Sequence, residues 1–511
     1  MLNKSSAFPR GYFQRQQRCW INWQAINMSY NEERISKNTS YFTLALIIQK
    51  IISFVYFSYV AVQIGASNLG NYTFALFFTT IFSVLIDIGL SNVLVREVAK
   101  FKDKSQQYLT AAMALKIPLA IITYGTVFIL INFLNNPALV KQLVYLAGIV
   151  MVLDSFTLTF YAFLRGHQNL KYESIGTIIF QVIVSLVGII AVNLTNDLRI
   201  LILAILSASL FNFVYSSFLI RKKLQLKFFQ PLNKTLAKSL LVFTIPFALA
   251  AIFTRVYGYI DTVLLNQMIN ETAVGFYSIP YKITFSLQFI PMAFVASLYP
   301  AFSSYFIGNK EMLKKTFEKS MVYLSILSAP VCLGVIALAK PLMLRIYTVE
   351  YEPSIVPLQI LIISLIFLFL NFPLGSLLNA CNRQTRNTIH IGIVMVVNIV
   401  LNLWLIPKYS YIGAAIASSI STFLMFVMQM YVARQIIQIS YKYLVWKFLK
   451  IIAAGLVMYL AIAYMNSFVN FIILIPVGGA VYFTVLYSLK GFSKEDYWLI
   501  KRSFIKSKQE I

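Results

Sequence analysis

The sequence predicts an all-α polytopic membrane protein with about fourteen transmembrane helices. Three observations predict it. Hydrophobic residues make up 59% of the 511 and charged residues only 12%, too few to cover a soluble core of this size. From residue 41 to 490 the apolar runs are each long enough to cross a bilayer, which needs about 20 residues of helix, and are too continuous for the ten-residue alternation of a transmembrane barrel. The connections between runs are alternately rich and poor in Lys and Arg.

In chain order, spans are expected at 41–64, 72–95, 108–134, 141–164, 174–193, 198–220, 239–266, 274–305, 317–347, 355–381, 388–406, 411–437, 447–466 and 469–489. Spans seven to nine exceed what a bilayer needs, so they should tilt, kink or protrude. Pro246, Pro280, Pro291 and Pro330 fall inside apolar runs, where the missing N–H bends a helix. The expected divisions are a tail at 1–40, a first lobe of six helices at 41–220 and a basic linker at 221–238. A second lobe of six at 239–437, two helices within 438–490 and a tail at 491–511 follow. The first 40 residues are polar and basic without the apolar stretch of a signal peptide, and Met28 offers a second translation start.

The formal charge of +26 suggests nucleic acid at first sight, but its distribution excludes that reading. Of the 43 Lys and Arg, 34 lie in the tails and in the alternate connections, including Arg96–Lys104, Arg221–Lys238 and Lys310–Lys319. The intervening loops hold 5, and 4 fall within spans. By the positive-inside rule both termini are expected on the cytoplasmic side of the inner (plasma) membrane, which requires an even helix count. Cys19, Cys332 and Cys381 have no paired spacing and the two His no metal spacing, so no disulfide, metal or cofactor is expected. The loops on the far side are too short for a catalytic domain, and no Gly-rich nucleotide loop occurs.

A short internal repeat separates the halves. Leu69-Gly-Asn-Tyr72 follows the first span and Val274-Gly-Phe-Tyr277 follows the seventh. Their offset of 205 residues also places Lys50 opposite Arg255. Six spans intervene, so the halves share one orientation, related by an axis along the membrane normal.

These pieces, with Leu85-Ile-Asp-Ile-Gly-Leu90, Arg96-Glu-Val-Ala99, Arg255-Val-Tyr-Gly-Tyr-Ile-Asp-Thr-Val-Leu-Leu265 and Leu403-Trp-Leu-Ile-Pro-Lys-Tyr-Ser-Tyr-Ile-Gly-Ala-Ala-Ile-Ala417, carry a family resemblance. The chain resembles the polysaccharide-lipid flippases of the MATE-like MOP transporter superfamily over nearly everything after residue 40. Ser410 stands where that family often has Gly. The resemblance implies two six-helix lobes plus two C-terminal helices. A central cavity would be lined by the first, second, seventh and eighth helices. It also implies turnover of a polyprenyl-diphosphate-linked oligosaccharide to the outer leaflet by alternating access, for surface polysaccharide such as O-antigen or capsule. Its partners would then be membrane lipids, a glycan polymerase and glycosyltransferases.

A charge at the bilayer centre costs at least about 2.5–3.5 kcal/mol, so each one faces a partner or a wet cavity. Lys50, Asp87, Lys116, Asp154, Arg255, Asp261 and Lys282 lie within spans, and five of them fall on the four helices that the resemblance assigns to the cavity. Arg255, Lys282, Lys50 and Lys116 are candidates to bind the diphosphate, Arg by its bidentate fork and Lys as a point charge. The Lys residues can equally snorkel to the headgroups. Asp87 and Asp261 are candidates for ion coupling, to H+ or Na+, or for structural pairs: Asp87 with Lys116 or Arg96, Asp261 with Lys282. Asp154 reads as structural. Gln63, Gln181, Asn212, Gln288, Asn398 and Asn402 can bond sugars or other helices, the latter being commoner. Alternatives on the same fold are an ion-coupled multidrug exporter and a peptidoglycan-precursor flippase. A membrane glycosyltransferase or polymerase fits the short external loops poorly.

Overall fold

A computed structural model describes the backbone of residues 10–491 except 196 and 229, and the side chains from residue 43 except at 246 and 297. Among these residues there is no strand. The helices are α1 (Arg10–Asp87), α2 (Leu90–Lys100), α3 (Ser105–Phe133), α4 (Ala138–Gly166), α5 (Leu170–Leu194), α6 (Leu198–Lys223) and α7 (Lys234–Met268). They continue with α8 (Glu271–Ser286), α9 (Phe289–Gly308), α10 (Lys310–Leu342), α11 (Ile355–Ala380), α12 (Gln384–Ile436), α13 (Tyr441–Met465) and α14 (Phe471–Ser488).

Twelve helical stretches among the described residues are long and apolar enough to cross a membrane. Two of them, Thr43–Asp87 with 45 residues and Gln384–Ile436 with 53, would if straight reach about 68 and about 80 Å, more than twice a bilayer core. Neither is straight. In α1, Gly65 has φ 75° and ψ 172°, and residues on both sides of it (Ser53, Phe57, Tyr72, Leu76) line one cavity. In α12 the break is Ser410, with φ 51° and ψ −134°. Arg386 and Gln435, 49 positions apart, are hydrogen-bonded at 2.5 Å, so the two arms run side by side. Each long helix is a hairpin, and the described chain makes fourteen passages.

The hairpin breaks fall beside the expected boundaries at 64 and 411, because only there does the apolar run loosen. Elsewhere the structure adds breaks. The second passage ends at Asp87 and turns through Ile88 (φ 42°) and Gly89 (φ 81°) into α2, although the apolar pattern suggested one run to residue 95. The eighth passage breaks between α8 and α9, four residues before Pro291. Pro291 has no N–H to give the Leu287 carbonyl, which instead accepts from Ile290 N at 3.3 Å, a tighter turn. Pro280 and Pro330 lie within unbroken helices, α8 and α10.

The repeat has a direct structural counterpart. A Cβ at Gly70 would lie 1.8 Å from the carbonyl oxygen of Glu271, and one at Gly275 would lie 1.9 Å from that of Ala66. The offset of 205 turns one contact into the other, Gly70 into Gly275 and Ala66 into Glu271, so the turns that open the two repeats cross symmetrically with their backbones touching. Beside this crossing, on the short-loop face, the Glu350 carboxylate accepts from Ala66 N at 2.7 Å, at the N-terminus of the second arm of α1. Tyr351 Oη donates to Ala61 O at 2.7 Å, and Ser58 and Tyr347 share a hydrogen bond of 2.8 Å. The connection between α10 and α11 thus clasps the tip of the first hairpin.

On the basic-loop face the linker stays with the first half: Gln106 bonds both backbone groups of Lys227, at 2.6 and 2.8 Å. Ala237 and Leu240 at the start of α7 share a buried cluster with α2, α3, α4 and α6. The apolar interior therefore does not divide at the linker.

Ser410 holds a backbone conformation that costs a residue with a Cβ about 1–3 kcal/mol, more than the roughly 0.5–1 kcal/mol that glycine's extra freedom removes. Ser410→Gly is expected to raise the thermal unfolding midpoint of the detergent-solubilised protein; an unchanged or lower midpoint would show that the turn is unstrained.

Candidate functional site

Two cavities meet in the interior. The larger, about 730 Å³, is bounded by α7, α8, α9, α11 and both arms of α12. The smaller, about 260 Å³, lies where α1, α5 and α6 of the first half face α7 and α8. Tyr259, Tyr281 and Phe285 line both and form the partition.

Arg255 reaches the larger cavity from α7 and is solvent-exposed. It makes no hydrogen bond or ion pair with any described residue. Lys282 faces the smaller cavity from α8, held among the described residues only by a long 3.4 Å contact to Ser53 Oγ and by the face of Phe57, 5.1 Å away. Lys50 lies across from it on α1, exposed, with its ammonium 5.8 Å from the centre of the Phe285 ring. Three of the four expected cations thus gather around one aromatic partition, and none of the three has an acidic partner among the described residues. Arg suits a phosphate pair because its planar fork bonds two oxygens at once, and an ammonium beside it supplies mobile charge.

Lys116 is placed elsewhere. It is fully buried in α3 and donates to Asp87 Oδ1 at 2.8 Å, Ser155 O at 2.7 Å and Thr159 Oγ1 at 2.5 Å. All three ammonium protons are used, and Lys116 lines neither cavity. Asp87 pairs with Lys116 rather than with Arg96, whose guanidinium bonds Glu97 at 2.9 Å. Asp87 also bonds Ser91 Oγ at 2.5 Å, bridging the turn between α1 and α2. This pair joins the second, third and fourth passages.

Asp261 does not pair with Lys282. Only 4% exposed on α7, it accepts from Tyr277 Oη at 2.9 Å and from Asn402 Nδ2 at 2.7 Å, and no described cation bonds it. Asn402 and Asn398, one turn apart on α12, are fully buried beside it, and Asn402 Oδ1 has no hydrogen-bond donor. Carboxylate and amide oxygens at this density suit a hard cation or a proton. No group of three or more His, Cys, Asp or Glu that could hold a metal occurs among the described residues.

The sequence reading did not single out Asn371, Asn379, Asn387 and Gln429, which line the larger cavity. Nor did it single out Glu350 and Glu271, which fasten the short-loop face. An uncharged amide in an apolar run costs too little to say which face it takes, so Gln288 is among the candidates while these amides of the same wall are not. The two glutamates lie in connections, where a charge is ordinary.

A model of the polysaccharide biosynthesis protein family matches residues 35–306, more than half of the sequence. The chain belongs to this family. A second model, of the MatE family, matches residues 246–404. The capsular polysaccharide biosynthesis protein CapF of Staphylococcus aureus is 23% identical over 405 residues, covering 78% of this chain and 99% of its own. A protein of Shigella flexneri named as an O-antigen transporter is 22% identical over 405 residues, covering 76% and 95%. Among solved structures, the lipid II flippase MurJ in an inward closed conformation superimposes with a TM-score of 0.73 at 16% identity, covering 87% of this chain and 97% of its own. The protein is a membrane transporter of the MOP flippase fold, not an enzyme.

Removing Lys116 would leave the largely buried Asp87 carboxylate, 15% exposed, without its cation, a loss of at most about 3–5 kcal/mol. Lys116→Met is expected to lower the unfolding midpoint sharply, and Asp87→Asn added to it should restore some of the loss. Full stability of the single variant would show that the pair contributes little.

Proposed function

We propose that the protein flips a polyprenyl-diphosphate-linked oligosaccharide from the cytoplasmic to the outer leaflet by alternating access, supplying surface polysaccharide synthesis. The observation that carries this reading is Arg255, a guanidinium without a partner among the described residues on the wall of a 730 Å³ chamber inside an apolar helix array. A charge kept unpaired at that depth is stabilised by water and by whatever anion enters. Lys282 and Lys50, on the other side of the Tyr259–Tyr281–Phe285 partition, give the diphosphate a second, weaker station. Several weak stations suit transport better than one tight site, which would hold its cargo. The family and the names of the capsule and O-antigen relatives point to the same cargo class.

In this reading the basic-loop face is cytoplasmic, with both termini on it, in the inner membrane. Lys116 and Asp87 serve as a structural pair. Asp261, with Asn398 and Asn402, takes H+ or Na+ and couples its gradient to the lobe motion. An exporter of cationic drugs would need an accessible carboxylate in the chamber. Asp261, the one carboxylate on the described wall, is buried and already bonded twice, which favours an anionic cargo.

Loss of a charged hydrogen-bond donor costs about 1.5–3 kcal/mol, or roughly ten- to a hundredfold in affinity. Arg255→Gln and Lys282→Gln are therefore expected to insert normally yet accumulate polyprenyl-linked oligosaccharide on the inner face of cells; wild-type surface glycan in both would remove these residues from the mechanism. In proteoliposomes Asp261→Asn should abolish the dependence of turnover on an imposed Na+ or H+ gradient. A gradient response that survives in this variant would place coupling elsewhere.

A further inference from the structure

The wall of the larger cavity carries a feature that a diphosphate does not explain. Gln429 Nε2 donates to Asn387 Oδ1 at 2.9 Å, and Asn387 Nδ2 donates to Asn379 Oδ1 at 3.2 Å. This row of amides crosses from the second arm of α12 to its first arm and on to α11. Asn379 and Asn387 stand within a few residues of the helix ends on the basic-loop face. Deeper along α11, Asn371 Nδ2 donates to Thr422 O at 3.1 Å. Three polar atoms along this wall are buried without partners: Gln429 Oε1, Asn371 Oδ1 and Ser376 Oγ. Gln429 is only 2% exposed. Orphaned polar atoms in a folded interior are rare and expensive, and a cluster of them on one cavity wall marks where a hydrogen-bonding ligand completes the set. The row also has a bare helix surface against it: a Cβ at Gly375 would rest in ordinary van der Waals contact with it, 3.5 Å from Gln429 Nε2 and 3.9 Å from Asn387 Nδ2, so a methyl there fits and covers part of the amides.

We infer that this amide row is a subsite for an uncharged, hydroxyl-bearing sugar of the cargo, the sugar that shares the chamber with the diphosphate. The inference rests on the flippase reading above and adds the chemistry of the glycan. Amides present donors and acceptors together, as sugar hydroxyls do, and each can turn its group to suit. Arg255 is the one Lys or Arg on the described wall of this cavity, and the diphosphate engages it. A carboxylated sugar placed against the row would meet no second cation on the described wall of this cavity and would lose its hydration there uncompensated. The sites therefore divide the cargo: Arg255 takes the charge, and the row reads the neutral sugar near the basic-loop mouth.

The test uses the full-length protein in detergent or nanodiscs with three probes. They are a polyprenyl diphosphate without sugar, the same lipid carrying one neutral hexose, and the same lipid carrying a hexuronic acid. The wild type should bind the neutral-sugar lipid tightest. Asn387→Leu and Gln429→Leu should each lower its affinity about three- to tenfold, the worth of one neutral hydrogen bond, and leave the sugar-free lipid unchanged. Gly375→Ala, which fits without displacing its neighbours, should do the same to a smaller degree and serves if the amide variants fold poorly. Arg255→Gln should weaken all three probes. Equal affinity of the wild type for all three lipids, or variants that weaken the sugar-free lipid as much as the neutral one, would overturn the sugar subsite and leave the flippase reading standing. Tighter binding of the uronic acid lipid would overturn the neutral-sugar assignment. Failure of the wild type to bind any of the three would overturn both readings.

Discussion

The constraint on which everything else depends is that a charge inside hydrocarbon must be answered, by a counter-charge, by hydrogen bonds or by water. The protein answers the charges within its spans in two ways. Lys116 is met on every side, by a carboxylate, a carbonyl and a hydroxyl, and there the interior is dry and tightly joined. Arg255, Lys282 and Lys50 are met by no acidic side chain among the described residues, and there the helices stand apart around cavities. Cavity and unanswered charge are two sides of one fact. Closing the helices over Arg255 would strand its charge, so the charge keeps the chamber open to water as much as the chamber accommodates the charge.

Much of this was legible in the sequence, because span length and charge phase are one-dimensional signals. Fourteen apolar runs and most of their boundaries follow from the need to bury backbone groups in helices. The hairpin at Ser410 lies between two runs that were already separate in the pattern. What one dimension cannot carry is partnership. Lys116 and Arg255 look alike in the sequence, each a lone cation in an apolar run. The sequence offers Asp87, 29 positions away, to Lys116 or to Arg96; folding decides for Lys116 and adds Thr159 from 43 positions away, while Arg255 receives no such partner among the described residues. The amides were harder still. Asn212 bonds Tyr161 between helices while Gln429 faces a cavity, and no local feature of either run distinguishes them. The break at Ile88–Gly89 was hidden because the apolar pattern continues across it.

The two halves share an orientation but not a chemistry. The offset that matches Tyr72 to Tyr277 also sets Tyr56 opposite Asp261, so a carboxylate stands in the second half where the first has a phenol. The second half holds the larger cavity, the buried carboxylate and the amide row; the first holds the closed pair of Lys116 and Asp87. The frame is symmetric at the crossing, and the polar chemistry lies mainly in its second half.

At the crossing of Gly70 and Gly275 the halves meet as bare main chain, each carbonyl seated against the other helix's glycine. Interlocked side chains resist rotation because several rotamers must change together. Peptide groups resting on Cα atoms have no rotamers to change. The polar clasps around the crossing, Glu350 to Ala66 and Ser67 to Glu271, can be released singly. The crossing itself is a smooth bearing, able to carry a rocking load without being dismantled.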